Sequence, residues 1–330
     1  MEQTSNQSAA RGGTEVSAAG RFNERSFLRR ARAISFLRAL VVSFAVAVTV
    51  IVGLFVGTEM MLQRQENRID SLYPDLIRLT RPNTVALAGK SYDLRLFGRQ
   101  KEYYLFRLLG DRPLPAGDVT VDFDVWGGEQ TLGDETFCVL TASTGDGPAA
   151  NVSAVIPAGA KEYTAPLAVP VLRFYYPVRD GDKILREFGA LRTLSGDALV
   201  EMAVSFKQPL TYDEVRSAIP NELILTWGAV CAFPDSEYLR AGDYLTANRM
   251  VGNPYMQDAR GEQDFMAVLK RLSDIPGHHA GTVKRTLDFL KANGVRYYGA
   301  VVVGPARAVA KLEANPMVTA AVLGMSIPAP

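Results

Sequence analysis

His278 and His279 are the only imidazoles in this chain, and Cys138 and Cys231 are the only thiols. A metal centre needs three or four such ligands held at fixed geometry. Two adjacent histidines in the loop Pro276-Gly277-His278-His279-Ala280-Gly281 supply neither the number nor the rigidity, so they read as a solvated loop. A Cys–His nucleophile needs a thiol beside an imidazole. Both cysteines lie in apolar, strand-like surroundings, where a thiol stays inert. Asp122 and Asp124 share one face of a strand pattern and read as its solvated side. Gly304-Pro305 ahead of a helix could offer N–H groups to an anion, but without a glycine-rich phosphate loop it reads as a cap. Tyr175-Tyr176 and Tyr297-Tyr298 read as core aromatics of strands. Nothing here assembles an acid, a base and a nucleophile. The residues predict no enzyme, no cofactor and no bound metal. A net charge of +1 over 330 residues gives no basic field for nucleic acid.

The elements that would position any chemistry begin with an apolar rod. Ala39 to Thr58 carries no charge. As a helix it is about 30 Å long, the thickness of a hydrocarbon core. Arg21, Arg25, Arg29, Arg30, Arg32 and Arg38 precede it, whereas Glu59, Arg64, Glu66, Arg68 and Asp70 nearly cancel after it. This asymmetry predicts a single-pass anchor with residues 1–38 in the cytoplasm and 59–330 outside. A cleaved signal peptide fits poorly. The leader and the apolar core are both too long, and Val56-Gly57-Thr58-Glu59-Met60-Met61 has no Ala-x-Ala-like site. With Cys138 and Cys231 both outside, a disulfide and two buried thiols are the alternatives left open.

Residues 1–20 have a disordered composition. Residues 21–38 form a basic amphipathic segment, with Phe27, Ala31, Ile34 and Leu37 at helical spacing. It is either an interfacial collar on the lipid bilayer or a docking segment for a cytoplasmic protein, with Phe27, Leu28, Arg29, Arg30, Ile34 and Leu37 as the candidate binding residues. A juxtamembrane helix is expected over 59–84, with the stripe Leu62, Ile69, Leu72, Leu76 and Leu79 laid against its own domain, an interruption at Pro74 and an end at Arg81-Pro82-Asn83. Residues 85–169 read as a β-rich segment, with strand candidates at Tyr92–Phe97, Tyr103–Leu109, Val119–Val125 and Phe137–Leu140.

Residues 170–330 alternate strand and helix. Val200, Met202, Val204 and Phe206 line one strand face, and Pro209 is expected to stop that strand. Thr211-Tyr212-Asp213-Glu214 is a capping box, opening a short helix with Tyr212, Val215 and Ile219 as its apolar stripe. Leu223–Trp227 starts the next strand. Tyr297–Val303, a helix with Pro305 in its first turn, and Val318–Leu323 repeat the plan. Between the two units Phe265, Leu269 and Leu272 mark one helix. Val283, Leu287 and Leu290 mark another, with Asn293-Gly294 as a left-handed cap. The simplest architecture is α+β: a ferredoxin-like duplicated β-α-β domain with a helical insertion.

These blocks carry a resemblance. Val204-Ser205-Phe206-Lys207-Gln208-Pro209, Thr211-Tyr212-Asp213-Glu214-Val215, Phe265 with Leu269, Leu290-Lys291-Ala292-Asn293-Gly294-Val295, Tyr298-Gly299-Ala300-Val301-Val302-Val303-Gly304-Pro305 and Asn315-Pro316 stand in an order that resembles the sigma factor regulator family of Gram-positive membrane proteins. The resemblance covers about residues 170–327. The arginine-rich segment, the apolar rod and the residues beyond it, up to about residue 110, are similar to the family's amino-terminal region. The resemblance implies a membrane-anchored anti-sigma factor, or one subunit of an anti-sigma complex. Its outer domain would sense an envelope signal and control an extracytoplasmic-function sigma factor. Phe206, Pro209, Tyr212, Trp227, Asn293, Gly294, Tyr298, Gly299, Gly304, Pro305, Asn315 and Pro316 would be family-motif positions of structural kind. The expected partners are that sigma factor or a second anti-sigma subunit, and the bilayer. The chain lacks the long acidic helical stretch and the His/Cys zinc signature that some members carry before the basic collar. The alternative function is therefore an extracytoplasmic binding module for a wall component or membrane partner.

Overall fold

The computed structural model describes residues 24–132, 172–177, 184–235, 250–258, 260–277 and 279–328. The chain divides into two compact units, Met1–Glu59 and Met60–Pro330. The strand expected at Phe137–Leu140, Cys138 and His278 lie outside the described residues.

One helix, α1 (Glu24–Thr80), carries the apolar rod and the juxtamembrane stripe. It is long and apolar enough to cross a membrane, and residues 27–57 are all exposed. The helix runs through Pro74 without ending, contrary to the expected interruption. A proline inside a helix costs about 3 kcal/mol. Here Leu72, Ile77 and Leu79 are fully buried around it, and that packing offsets the lost hydrogen bond. The helix ends at Thr80, directly before Arg81-Pro82-Asn83, where its end is expected. Asn83 follows in the left-handed region at φ 52°, which asparagine tolerates.

Strands β1 (Thr84–Arg95), β2 (Gly98–Leu109), β3 (Arg112–Asp124) and β4 (Glu129–Leu132) form an antiparallel meander in sequence order. Leu96 and Phe97, expected to close a strand, form the β1–β2 turn instead.

The second sheet has five antiparallel strands in the order β7-β6-β8-β5-β9. Its elements in chain order are α2 (Phe188–Leu191), β5 (Leu199–Leu210), α3 (Tyr212–Ala218), β6 (Ile224–Val230), β7 (Gly252–Asn253), α4 (Gly261–Asp274), α5 (Ala280–Asn293), β8 (Tyr297–Pro305), α6 (Ala306–Ala310), a 3-10 turn (Lys311–Ala314) and β9 (Val318–Ile327). β5 does not stop at Pro209; it continues to Leu210, which pairs with Tyr297 after a register shift. Pro305 sits at the N-cap of α6, one position before the first turn. Gly294 has φ 75° but an extended ψ of 167°, so the cap of α5 is not the left-handed helical one.

Both faces of this sheet are covered. Val200, Met202, Val204 and Phe206 of β5 pack with α3, α4, α5 and α6, while Ala203, Trp227, Tyr298 and Val301 pack with Leu172, Phe174 and Tyr176 on the other side. Burial on both faces explains why Tyr297–Gly304 reads as an uninterrupted apolar run.

Candidate functional site

Within the unit Met60–Pro330, the last turns of α1 are gripped from two directions. At 100° per residue, Leu62, Glu66, Ile69, Asp70, Tyr73 and Ile77 share one face. Leu62, Ile69 and Ile77 pack with Tyr103, Leu105, Val119, Val121 and Phe123 of the meander. Leu72, Leu76 and Leu79 lie about a quarter-turn away and enter the core of the five-stranded sheet and its helices. The stripe read as one seam is therefore two adjacent seams, one for each sheet.

Charges reinforce the first seam. Glu66 accepts hydrogen bonds from Ser91 Oγ (2.5 Å), Lys101 Nζ (2.9 Å) and Arg99 Nη1 (3.0 Å). Asp70 accepts from Tyr103 OH (2.8 Å) and Lys101 Nζ (3.3 Å). Arg99 also reaches Asp93 at 2.7 Å. Arg99, Lys101 and Tyr103 alternate along β2 and so point to one side, toward acids spaced i, i+4 on the helix. Burial pushes the Glu66 carboxyl up, but the three donors outweigh it and hold the group below its ordinary value of 4.5. Burial pushes the Lys101 ammonium down, and Glu66 with Asp70 more than reverses this, raising it above 10.5.

The signs fix a pH window. The Glu66 contribution is complete above about pH 4.5 and is lost as pH falls through the lower folded value. The Lys101 contribution is complete below about pH 10.5 and is lost as pH rises beyond it. Denaturant midpoints of the wild type are expected to fall below pH 4.5, and Glu66→Gln should flatten that acid limb while lowering stability at pH 7 by about 3 kcal/mol. An acid limb unchanged in Glu66→Gln would contradict this.

A second network joins the two sheets. Glu201 on β5 has no exposed side-chain surface. It accepts from Asn83 Nδ2 (2.7 Å), Arg107 Nη1 of β2 (2.9 Å) and the backbone N–H of Met325 (3.2 Å). Asn83 also donates to Leu108 O at 2.8 Å. Beside it Leu109 and Leu114 of the meander pack with Val303 and Met325. Trp227 Nε1 donates to Arg78 O in the last turn of α1 at 2.9 Å. Arg68 bonds Pro276 O, and Arg271 of α4 pairs with Asp75.

These residues escaped the sequence reading because their partners lie up to 208 positions away. Two signals were nonetheless present: the i, i+4 acids Glu66 and Asp70 opposite the alternating cations Arg99 and Lys101, and Glu201 set inside an apolar strand.

The expected binding residues of the basic segment are all exposed on α1. Phe27, Arg30, Ile34 and Leu37 share a face, whereas Leu28 lies about 140° and Arg29 about 120° from its centre. The segment thus presents one mixed apolar–cationic face, and the six do not form a single cluster.

Most motif residues are buried in, or bonded to, the second sheet and its helices. Phe206, Trp227 and Tyr298 are fully buried. Pro209 lies in β5. Tyr212 OH donates to Met256 O (3.2 Å), Asn293 to Phe289 O (2.8 Å) and Asn315 to Ala218 O (2.7 Å), the last just ahead of Pro316. A β-carbon on Gly299 would stand 2.5 Å from the Phe174 ring, and one on Gly304 2.5 Å from Leu223. Gly294 closes α5 and Pro305 opens α6.

Among the described residues no group of three or more His, Cys, Asp or Glu could hold a metal ion. Burial pushes the Cys231 thiol up to about 12, a protonated and unreactive state. A hollow of about 130 Å³ beside Phe188, Leu191 and Arg307 is smaller than ligand pockets usually are.

Comparison with known families decides the identity. The sigma factor regulator N-terminal description matches residues 25–114, and the sigma factor regulator C-terminal description matches residues 191–325. The chain belongs to the sigma factor regulator family. The first match covers α1 from residue 25, β1, β2 and the first residues of β3, and the second covers most of the five-stranded sheet with its helices. No curated protein and no solved structure matches the chain. The family is a regulatory one acting on sigma factors.

Proposed function

We propose that this sigma factor regulator is a membrane-anchored anti-sigma factor, or one subunit of an anti-sigma complex. It controls an extracytoplasmic-function sigma factor in response to an envelope signal received by the region after the span. The observation that carries the reading is α1. One helix bears the exposed basic face at Phe27–Arg38, a charge-free run of membrane length, and a terminal stretch held by both sheets. A signal that changes either sheet's hold on residues 62–79 then biases the helix. The arginine excess before the span supports a cytoplasmic amino end and an extracytoplasmic bulk. The division into a tail (1–20), a collar (21–38), a span (39–58), a juxtamembrane helix, a β-rich segment (85–169) and a regulator domain (170–330) belongs to the same reading. A ferredoxin-like arrangement of β5-α3-β6 and β8-α6-β9 is supported by the order β6-β8-β5-β9 and by α3 and α6 packing into one core.

The test is co-purification of a sigma factor with the detergent-solubilised chain. Phe27→Ser, Ile34→Ser and Leu37→Ser together remove the apolar face and leave the arginines that set topology. They should abolish co-purification and release sigma-dependent transcription. Unchanged transcription in a strain lacking the chain would sink the regulator reading. Regulation that survives exchange of residues 1–38 for an unrelated basic leader would put the extracytoplasmic binding module in its place.

A further inference from the structure

Glu262 stands half-buried in the first turn of α4, and its side-chain partner is a neutral phenol. Tyr297 OH donates to Glu262 Oε1 at 3.2 Å, and Asn253 Nδ2 donates to Tyr297 OH at 3.0 Å. Tyr297 and Asn253 have no exposed surface. The chain of bonds thus joins β7, β8 and α4. It differs from the one around Glu66, where two of the three donors are cations.

The surroundings of Glu262 weigh against its charge. β8 brings Tyr297, and β7 brings Asn253, which does not ionise. α3 brings the like charge of Asp213 and, beside Tyr297, the phenol of Tyr212. Its own helix places Phe265 and Met266 one turn on, neither of them charged. Asp258 and Arg260, on the approach to α4, are exposed. Among the described residues no lysine or arginine pairs with Glu262. The Tyr297 hydroxyl and the N-terminal end of α4 favour the carboxylate. Burial outweighs them, and with Asp213 it pushes the carboxyl above its ordinary value of 4.5.

The turn that carries this acid also seats the indole that holds α1. Asn253 pairs with Gly228 and Gly252 with Ala229 of β6. A β-carbon on Gly252 would overlap the Trp227 ring, so β7 lies directly against the indole whose Nε1 holds Arg78 O. Asn253 Oδ1 accepts from the N–H of Tyr255 at 2.9 Å, and a β-carbon on Gly261 would overlap Tyr255 O. Residues 253–262 are therefore closed tightly on themselves. An ionised Glu262 gains solvation when this turn opens, and opening moves Asn253 together with Gly252, the wall behind Trp227.

We propose that Glu262 is a proton-operated latch on the end of α1. Protonated, it locks the first turn of α4 onto Tyr297 and Asn253 and keeps β7 against Trp227. Ionised, it loosens that turn and the seat of the indole. The acidity of the medium bathing the domain is then a signal the regulator reads. This deepens the reading of α1 as the carrier of the signal and rests on it. The sign follows from linkage: the folded chain keeps this proton longer than the unfolded one, so the latch is complete below about pH 4.5 and is lost as pH rises through the higher folded value.

Hydrogen exchange of the full chain in detergent micelles, corrected for the intrinsic pH dependence of exchange, tests the latch without a sigma factor. Protection of residues 255–265 and of the last turn of α1 should fall together as pH rises from 4.5 to 7.5, by up to about tenfold per pH unit inside the window. Glu262→Gln should hold both segments at their acid level throughout. Tyr297→Phe keeps the acid and withdraws its donor, so the fall should move to higher pH. The same pH response in wild type and Glu262→Gln overturns the proposal, as does an unmoved midpoint in Tyr297→Phe. A fall confined to residues 255–265 overturns the link to α1. In cells, sigma-dependent transcription should follow the pH of the medium in wild type and stay at its acid level in Glu262→Gln. Exchange that responds while transcription ignores the medium's pH overturns acidity as the signal. Transcription unchanged on deleting the chain sinks the regulator reading instead, a result the exchange data do not depend on.

Discussion

Replacing Glu201 by alanine is expected to destabilise the chain by about 3–5 kcal/mol, the cost of leaving a buried charge without its partner. Glu201 satisfies three donors with no solvent to replace it. Arg107, one of the three, has only a tenth of its side chain exposed, and its Nε has no hydrogen-bond acceptor of its own. Without the carboxylate the guanidinium must stay buried unpaired or drag β2 away from β5. Asn83 is affected less, since it keeps Leu108 O. The double substitution Glu201→Met, Arg107→Leu should recover most of the loss, because an apolar pair of similar volume needs no desolvation of charge. Urea unfolding of the micellar protein, followed through Trp227 emission, measures both. A single substitution costing under about 1 kcal/mol, or a double variant no better than the single, would contradict this account of the sheet–sheet junction.

The junction also marks where local patterns stop informing. The apolar periods of β5, α3, α4, α5, β8 and β9 were legible in the sequence, because each element buries one stripe and the stripe sets its own period. Leu62 to Leu79 was legible as a stripe, too. Its division between two sheets was not, since a helix pattern shows which residues seek cover and says nothing of how many bodies provide it. The proline readings erred in one direction. Pro74 and Pro209 look like terminators locally, yet tertiary packing around Tyr73–Ile77 and the pairing of Leu210 with Tyr297 carry the helix and the strand past them. Nothing in the local sequence around Glu66, Asp70, Arg99 and Lys101 marks them as buried partners. Only strand alternation on one side and i, i+4 spacing on the other hinted that they face each other.

Trp227→Ala is expected to have the other large effect, about 3–5 kcal/mol, because it empties a fully buried site. The ring packs 5.6 Å from Phe174, and its Nε1 holds Arg78 O. That carbonyl is one of the last four of α1, which have no acceptor role inside the helix, so the indole supplies a partner that the helix cannot. Trp227→Phe separates the two contributions. It keeps most of the packing and gives up the hydrogen bond, for about 1 kcal/mol. If the grip on the end of α1 carries the signal, Trp227→Phe should alter sigma-dependent transcription while its unfolding midpoint moves little. Trp227→Ala should change both. Transcription that tracks stability across the two variants would assign the indole to the core alone. The regulatory grip would then fall to the contacts that remain on α1: Leu72 and Leu79 on one side, Glu66 and Asp70 on the other.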